Sequence, residues 1–220
     1  MTFRPVRICE TREESTLHRA VAFVPARAED AEALALKAPG QYVRFATEGE
    51  GQSLYGLASA PGEPWEILVK REGSSLSAAT VGDERLVTPP QGRGFPVREH
   101  AGRDLVLVGV GTGIAPLRGV LRVVASARAD FGRVTLVYGQ RTRAEMAYAR
   151  DRAGWAAQDI EILLVPSREE PLRRVQDVVA KLPGTRGAVA YVCGMPAMVD
   201  EVTRVLHAAG VAEEHVFQNH

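Results

Sequence analysis

Asp104-Leu-Val-Leu-Val-Gly-Val-Gly-Thr-Gly-Ile-Ala-Pro-Leu-Arg118 decides the fold. Its apolar run from Leu105 to Val108 has the composition of a parallel strand buried on both faces. The run breaks at Gly109-Val-Gly-Thr-Gly113 and continues through Ile114 to Val124 with apolar residues at helical spacing. Strand, glycine turn and helix in that order bring backbone N–H groups and the positive end of a helix to one point, which suits a phosphate. Pro116 falls in the first helical turn, where a missing N–H costs nothing. The spacing is not Gly-x-Gly-x-x-Gly, because Ile114 stands in the third glycine's place. The ordinary dehydrogenase fingerprint is therefore absent, and a plain strand-to-helix connection is the competing reading.

Around this stretch the chain alternates. Residues 102–220 read as strands at Leu105–Gly109, Val134–Tyr138, Ile160–Val165 and Ala188–Cys193, with a short last one at His215–Gln218. Helices fall between them. Thr142-Arg-Ala-Glu145 has the pattern of a capping box, and Gly210 is placed to end a helix that follows Cys193 and runs to about Ala209. Such alternation implies a doubly wound parallel sheet with helices on both faces.

Residues 1–98 read differently. Arg4–Cys9, Leu17–Val24, Tyr42–Ala46, Leu54–Ala58, Trp65–Lys70 and Glu84–Thr88 have strand character. Turns at Pro39-Gly40, Gly49-Glu-Gly51, Pro61-Gly62 and Gly82-Asp83 separate them. Short strands joined in this way suggest a small antiparallel barrel. Ala28–Lys37 has helical composition but also suits an elaborated loop. Pro96–Arg103 is the expected boundary between a barrel at 1–98 and an α/β domain at 102–220.

Composition sets limits on the partners. The 220 residues carry 27 Lys+Arg and 27 Asp+Glu, and the balance holds in each half, 12 against 14 in residues 1–100 and 15 against 13 in the remainder. No basic field exists to hold nucleic acid or an anionic membrane. Neither a membrane-length apolar run nor an apolar signal core is present, so a cytoplasmic protein without membrane insertion is expected. The two cysteines, Cys9 and Cys193, lie far apart, and the five histidines lack metal-ligand spacing. No intrinsic metal site is expected.

Several segments in chain order resemble the ferredoxin–NADP reductase-like flavoproteins, over essentially the whole length. Pro39-Gly-Gln-Tyr-Val43 is similar to a barrel strand of that family, and Tyr55-Gly-Leu-Ala-Ser-Ala-Pro61 to its flavin strand. Gly109–Arg118 resembles its nucleotide turn, Tyr138-Gly-Gln-Arg-Thr142 the segment after its second strand, and Cys193-Gly-Met-Pro-Ala-Met198 the turn beside the nicotinamide. Pro89-Pro-Gln-Gly-Arg-Gly-Phe95 resembles the loop that closes the barrel near the flavin. The short electron-transfer subunits of dihydroorotate dehydrogenase and the gamma subunits of sulfhydrogenases look closest.

The resemblance implies an FAD-binding barrel followed by an NAD(P)-binding domain. Its flavin residues would be Tyr55, Gly56, Leu57 and Ser59, with Gly73, Ser74 and Ser75 at the pyrophosphate. Its nucleotide residues would be Gly111, Thr112, Gly113, Pro116, Arg141, Gly194 and Met195, with Cys193 beside the nicotinamide where hydride moves. Residue by residue other roles stay open: Tyr55 as barrel core, Cys193 as a small buried residue, and Met195 and Met198 as helix packing. The family's flavin strand reads Arg-x-Tyr-Ser, whereas here Ser53-Leu-Tyr55-Gly56 keeps the aromatic and lacks both cation and hydroxyl. Lys70 and Arg71 stand where the family has a second pyrophosphate contact, or form a solvated strand end. No acidic residue directly follows Tyr138, which leaves NADH and NADPH both open, with a lean to NADH from the nearest subfamilies. His220 takes the place of a terminal aromatic shield or is a frayed end, and no cysteine-rich tail for an iron–sulfur cluster follows.

The expectation is a flavin-dependent NAD(P)H oxidoreductase that passes electrons to an acceptor protein or to the catalytic subunit of a redox complex. The alternative is a flavin-free nucleotide-binding or regulatory subunit, motivated by Ser53 and Gly56.

Overall fold

The computed structural model describes residues 2–47 and 51–218. The expected turn at Gly49-Glu-Gly51 lies partly outside these residues, and His220 lies wholly outside them. Six strands form an antiparallel sheet: β1 (Arg4–Glu13), β2 (His18–Pro25), β3 (Tyr42–Ala46), β4 (Gln52–Gly56), β5 (Trp65–Lys70) and β6 (Glu84–Val87). Their order is β4-β3-β6-β1-β2-β5. At Leu57 the chain passes from β3 to β5: its N–H still donates to the Gln41 carbonyl, while Leu57 bridges Ile67 and the Ala58 N–H donates to the Glu66 carbonyl. That crossing closes the sheet into a barrel and ends β4 earlier than the apolar pattern of residues 54–58 suggests. Val6, Ile8, Val21, Phe23, Val43, Phe45, Ile67 and Val87 fill its interior, as the period-2 alternation of strand side chains requires.

Residues 28–37 resolve as a loop with one 3-10 turn at Ala28–Asp30. Leu34 and Leu36 drop into the barrel core, and buried Asp30 pairs with Arg4. β1 runs on to Glu13, beyond the expected Cys9, because its polar second half pairs with β2 across a bulge between Ile8 and Glu10.

The second sheet is parallel and holds β7 (Leu105–Val110), β8 (Val134–Gln140), β9 (Ile160–Pro166), β10 (Val189–Cys193) and β11 (Val216–Gln218) in the order β11-β10-β7-β8-β9. Leu105 and Leu107 face one layer with α1 (Ile114–Ser126) and Trp155 of α2 (Ala149–Ala156). Val106 and Val108 face the other, with α3 (Val175–Val179) and α4 (Pro196–Ala208). Apolar residues at every position of β7 are therefore buried on both sides. Strand order reverses between β7 and β10, and at such a switch point the carboxyl ends of the strands open a crevice suited to ligands.

Thr142–Glu145 does not cap a helix. It forms an isolated 3-10 turn with no side-chain cap bond, and α2 begins only at Ala149. The cause is packing: Met146, Ala147 and Tyr148 dive into the core, and Tyr148 takes the left-handed conformation at φ 60°, which a continuing helix excludes.

The Pro89–Phe95 loop does not line the crevice. Phe95 is buried against Tyr191 of β10, with ring centroids 5.0 Å apart. Gly40 turns beneath it at φ +87°, where a Cβ would stand 2.3 Å from the Phe95 ring. The loop thus wedges the barrel against the parallel sheet. A buried ring of this size contributes about 1.5–3 kcal/mol.

Candidate functional site

A cleft of about 810 Å³ runs between the barrel and the carboxyl end of the parallel sheet. Its barrel wall is Leu17, His18, Leu54, Tyr55, Gly56, Leu68 and Lys70. The opposite wall is built from the loops after β7 and β10, with Gly111, Thr112, Gly113 and Pro116 on one side of the switch point and Cys193, Gly194, Met195 and Met198 on the other. Arg141, Ser167 and Arg174 border it at the ends of β8 and β9 and the start of α3.

Glycine at 113 is dictated by close approach. A Cβ there would lie 2.4 Å from the carbonyl oxygen of Cys193, a distance no side chain tolerates. The turn Gly111–Gly113 is a 3-10 turn that runs straight into α1. Unpaired backbone N–H groups and the positive end of the helix dipole are thereby concentrated at the cleft. Gly194 is confined by side chains rather than backbone, since a Cβ would meet the Met198 methyl at 2.3 Å and a Val110 methyl at 2.6 Å.

Tyr55 is half-buried in the barrel wall. Its ring meets Phe45 edge-on at 5.8 Å, and its hydroxyl lies 2.8 Å from Ser74 Oγ. Ser74 Oγ also accepts from the Leu76 N–H at 3.2 Å, so the Gly73–Ser75 turn holds the ring in place from outside the cleft lining. Leu57 lies in the barrel core. Ser59 is buried and committed to backbone, donating to the Pro64 carbonyl and accepting from the Glu66 N–H, each at 2.8 Å. Of the residues expected from sequence, Tyr55, Gly56, Gly111, Thr112, Gly113, Pro116, Arg141, Cys193, Gly194 and Met195 converge on the cleft. Leu57, Ser59, Gly73, Ser74 and Ser75 stand behind or beside it. Lys70 borders it, whereas Arg71 turns away to Glu13 at 3.2 Å.

Two features escaped the sequence. His18 sits in the barrel wall, 1% exposed, and nothing around it in the chain marks it. The second is a buried charge network across the seam. The guanidinium of Arg118, 7% exposed on α1, donates to Asp151 Oδ2 at 2.7 Å and to the Ala58 carbonyl at 3.1 Å, and lies 3.3 Å from Glu66 Oε1. Glu66 also pairs with Arg12 at 3.1 Å, and Arg12 with Glu14 at 2.6 Å. The second Glu14 oxygen accepts from the Tyr148 N–H at 2.9 Å. Burial opposes the Arg118 charge, but Glu66, Tyr148 and Asp151 outweigh it and raise its pKa above the ordinary value. Arg118 also covers the Tyr148 ring at 4.9 Å.

The site is thus a barrel facing a doubly wound sheet across one cleft, with a glycine turn at the switch point. Residues 107–204 match the family described as Oxidoreductase NAD-binding domain. The gamma subunit of sulfhydrogenase 1 from Pyrococcus furiosus is 28% identical over 193 residues, covering 81% of this chain and 66% of that one. The reductase subunit of an aromatic O-demethylase from Amycolatopsis is 33% identical over 189 residues, covering 77% of this chain and 56% of that one. The Amycolatopsis cytochrome P450 reductase GcoB superposes with a TM-score of 0.83 at 25% identity, over 99% of this chain and 69% of that one. A ferredoxin NADP+ reductase from Neisseria gonorrhoeae with bound FAD and NADP superposes with a TM-score of 0.81 at 21% identity, over 99% of this chain and 98% of that one.

The chain thus has the fold seen in the ferredoxin–NADP+ reductase, and its residues 107–204 match the oxidoreductase NAD-binding family. It spans between about half and two thirds of the length of the curated relatives it matches. No helix among the described residues is long and apolar enough to cross a membrane.

Proposed function

We propose that this chain is an FAD-dependent NAD(P)H oxidoreductase module of the cytoplasm, with residues 1–98 carrying the flavin and residues 102–220 the nicotinamide dinucleotide. It hands electrons on to an acceptor protein or to the catalytic subunit of a redox complex. The observation that carries this reading is the single cleft in which Tyr55 of the barrel faces Gly111–Gly113 and Cys193–Gly194 of the parallel sheet. One volume thus has an aromatic wall on one side and a phosphate-suited turn on the other.

The residues fit both groups. Gly111, Thr112 and Gly113 let the backbone approach a dinucleotide pyrophosphate, and Cys193 and Gly194 sit where a nicotinamide ring would enter. Arg141 would reach the adenosine ribose or its phosphate. Tyr55, fixed by Phe45 and Ser74, offers a flat surface for an isoalloxazine, and the Gly73–Ser75 turn beside the cleft would offer N–H groups to phosphates that reach past its edge. FAD, when bound, supplies the hydride acceptor and releases electrons one at a time.

The chain's own part is orientation and exclusion of water. Hydride transfer needs the reacting atoms held about 3–3.5 Å apart, and the charge network and the Phe95 wedge fix the two walls that set this distance. No side chain is required as a general acid or base.

The test is the visible spectrum of the purified protein before and after addition of FAD and then NADH or NADPH. Flavin bands that bleach with the nicotinamide are expected. A colourless protein that takes up no FAD overturns the reading and favours a nucleotide-binding or regulatory subunit, which the Ser53 and Gly56 replacements motivate.

A further inference from the structure

His18 opens β2 and belongs to the barrel wall of the cleft. Its Nδ1 lies 3.1 Å from the carbonyl oxygen of Glu145, in the loop after β8, and 3.2 Å from Ser15 Oγ. A carbonyl oxygen only accepts, so Nδ1 carries the proton in that contact. Burial favours the neutral ring, and its pKa is lowered accordingly. The ring is therefore the Nδ1–H tautomer, and Nε2 presents a lone pair. Nε2 is buried and meets no hydrogen-bond partner.

A buried acceptor left without a donor is costly. In a cleft wall that otherwise offers Leu17, Leu54, Leu68 and the Tyr55 ring, it marks where a ligand's N–H belongs. The oxidised isoalloxazine ring has one N–H, the imide at N3. A dinucleotide brings N–H donors of its own, the carboxamide and the adenine amine. The wall that holds His18 also holds Tyr55, the surface against which a flavin ring packs, whereas the turns suited to the dinucleotide lie opposite.

We propose that His18 anchors the flavin ring, Nε2 accepting from the imide N3–H while Nδ1 keeps its hold on the Glu145 carbonyl. This rests on the flavoprotein reading above. Lys70 stands opposite His18 in the β2–β5 register, and its long, exposed side chain is the flexible group that yields as the contact forms. One imidazole then links the cofactor in the barrel to the loop after β8. Flavin orientation and the barrel–sheet seam are fixed together.

The experiment compares FAD with N3-methyl-FAD, which lacks the donor, in fluorescence-quenching titrations of the wild type, His18→Asn and His18→Gln. Asparagine retains an N–H near the Nδ1 position for Glu145 and removes the Nε2 acceptor. Glutamine places its oxygen near the Nε2 position. Wild type is expected to prefer FAD roughly five- to tenfold, the scale of one neutral hydrogen bond. His18→Asn should bind FAD weaker by the same factor and lose the preference, and His18→Gln should restore part of both.

A wild-type preference for FAD that persists unchanged in His18→Asn overturns the assignment while leaving the flavoprotein reading intact. So does a His18→Asn variant that loses affinity for NADH but not for FAD, which would give Nε2 to the carboxamide. Wild type that takes up neither flavin overturns both readings.

Discussion

Replacing Arg118 with alanine removes the centre of the seam. Glu66, 6% exposed, would be left with Arg12 at 3.1 Å as its cationic partner. The Ala58 carbonyl would lose its 3.1 Å donor, and Asp151 its 2.7 Å partner. Breaking a buried ion pair by deleting one partner costs about 3–5 kcal/mol, because the remaining charge stays desolvated. That is a large share of the roughly 5–15 kcal/mol by which a domain is stable. Most of it should be coupling to Glu66, so Arg118→Ala and Glu66→Ala together should cost less than the sum of the two.

The two tryptophans make the assay specific. Trp65 lies in β5 of the barrel and Trp155 in α2 beside the parallel sheet. Urea unfolding followed in Trp65→Phe and Trp155→Phe backgrounds reports each half separately. The wild type should unfold both in one transition, and Arg118→Ala should lower the midpoint and part the two curves. A loss below about 1 kcal/mol, with the curves still coincident, would refute the network as the element that couples the halves.

Gly113→Ala should cost about 1–3 kcal/mol, the range for forcing a group into packed space. It should weaken nucleotide binding along with stability, read by thermal unfolding and by NADH titration, since its Cβ would press on the Cys193 carbonyl. Ser53→Arg should tighten FAD binding, because a charge-assisted bond to phosphate contributes about 1.5–3 kcal/mol, or roughly ten- to a hundredfold. Quenching of flavin fluorescence would measure it, and an unchanged affinity would show that the cofactor phosphates lie elsewhere. His18 has a folded-state pKa below its unfolded value of about 6.5, through burial foremost, with Lys70 adding to the shift and Glu145 opposing it. The unfolded chain therefore binds the extra proton as pH falls, and stability is complete above pH 6.5 and declines below it. Equilibrium unfolding from pH 7.5 to 5 should show this slope, and His18→Asn should flatten it.

What the sequence made legible was local and periodic. The continuous apolar β7, the glycine turn and the spacing of α1 each declare themselves within a few residues, and strand–helix alternation then implies the switch point. What it hid was nonlocal. Arg118 meets Asp151 and Ala58 across 33 and 60 positions, and Arg12 meets Glu66 across 54. A charged residue on an amphipathic helix reads as solvated until the partner fold covers it. Thr142–Glu145 failed for a related reason, since its capping pattern was overridden when Tyr148 turned into the core. For Ser59 and Leu57, resemblance along the strand pointed at the cofactor. Closure of the barrel at the Leu57–Ile67 bridge instead turns both into supports behind the wall.

The seam also bears on how such proteins can be recombined. Arg118, Asp151 and Tyr148 belong to one half, and Arg12, Glu14, Glu66 and the Ala58 carbonyl to the other, so any chimera cut between residues 98 and 102 divides the network. A donor barrel without acidic side chains at the Glu14 and Glu66 positions would leave Arg118 with Asp151 as its acidic partner and no carboxylate across the seam. Compatibility between halves is therefore a matter of matched charge at four or five interior positions, and exchange of acceptor specificity by grafting has to carry those positions along with the graft.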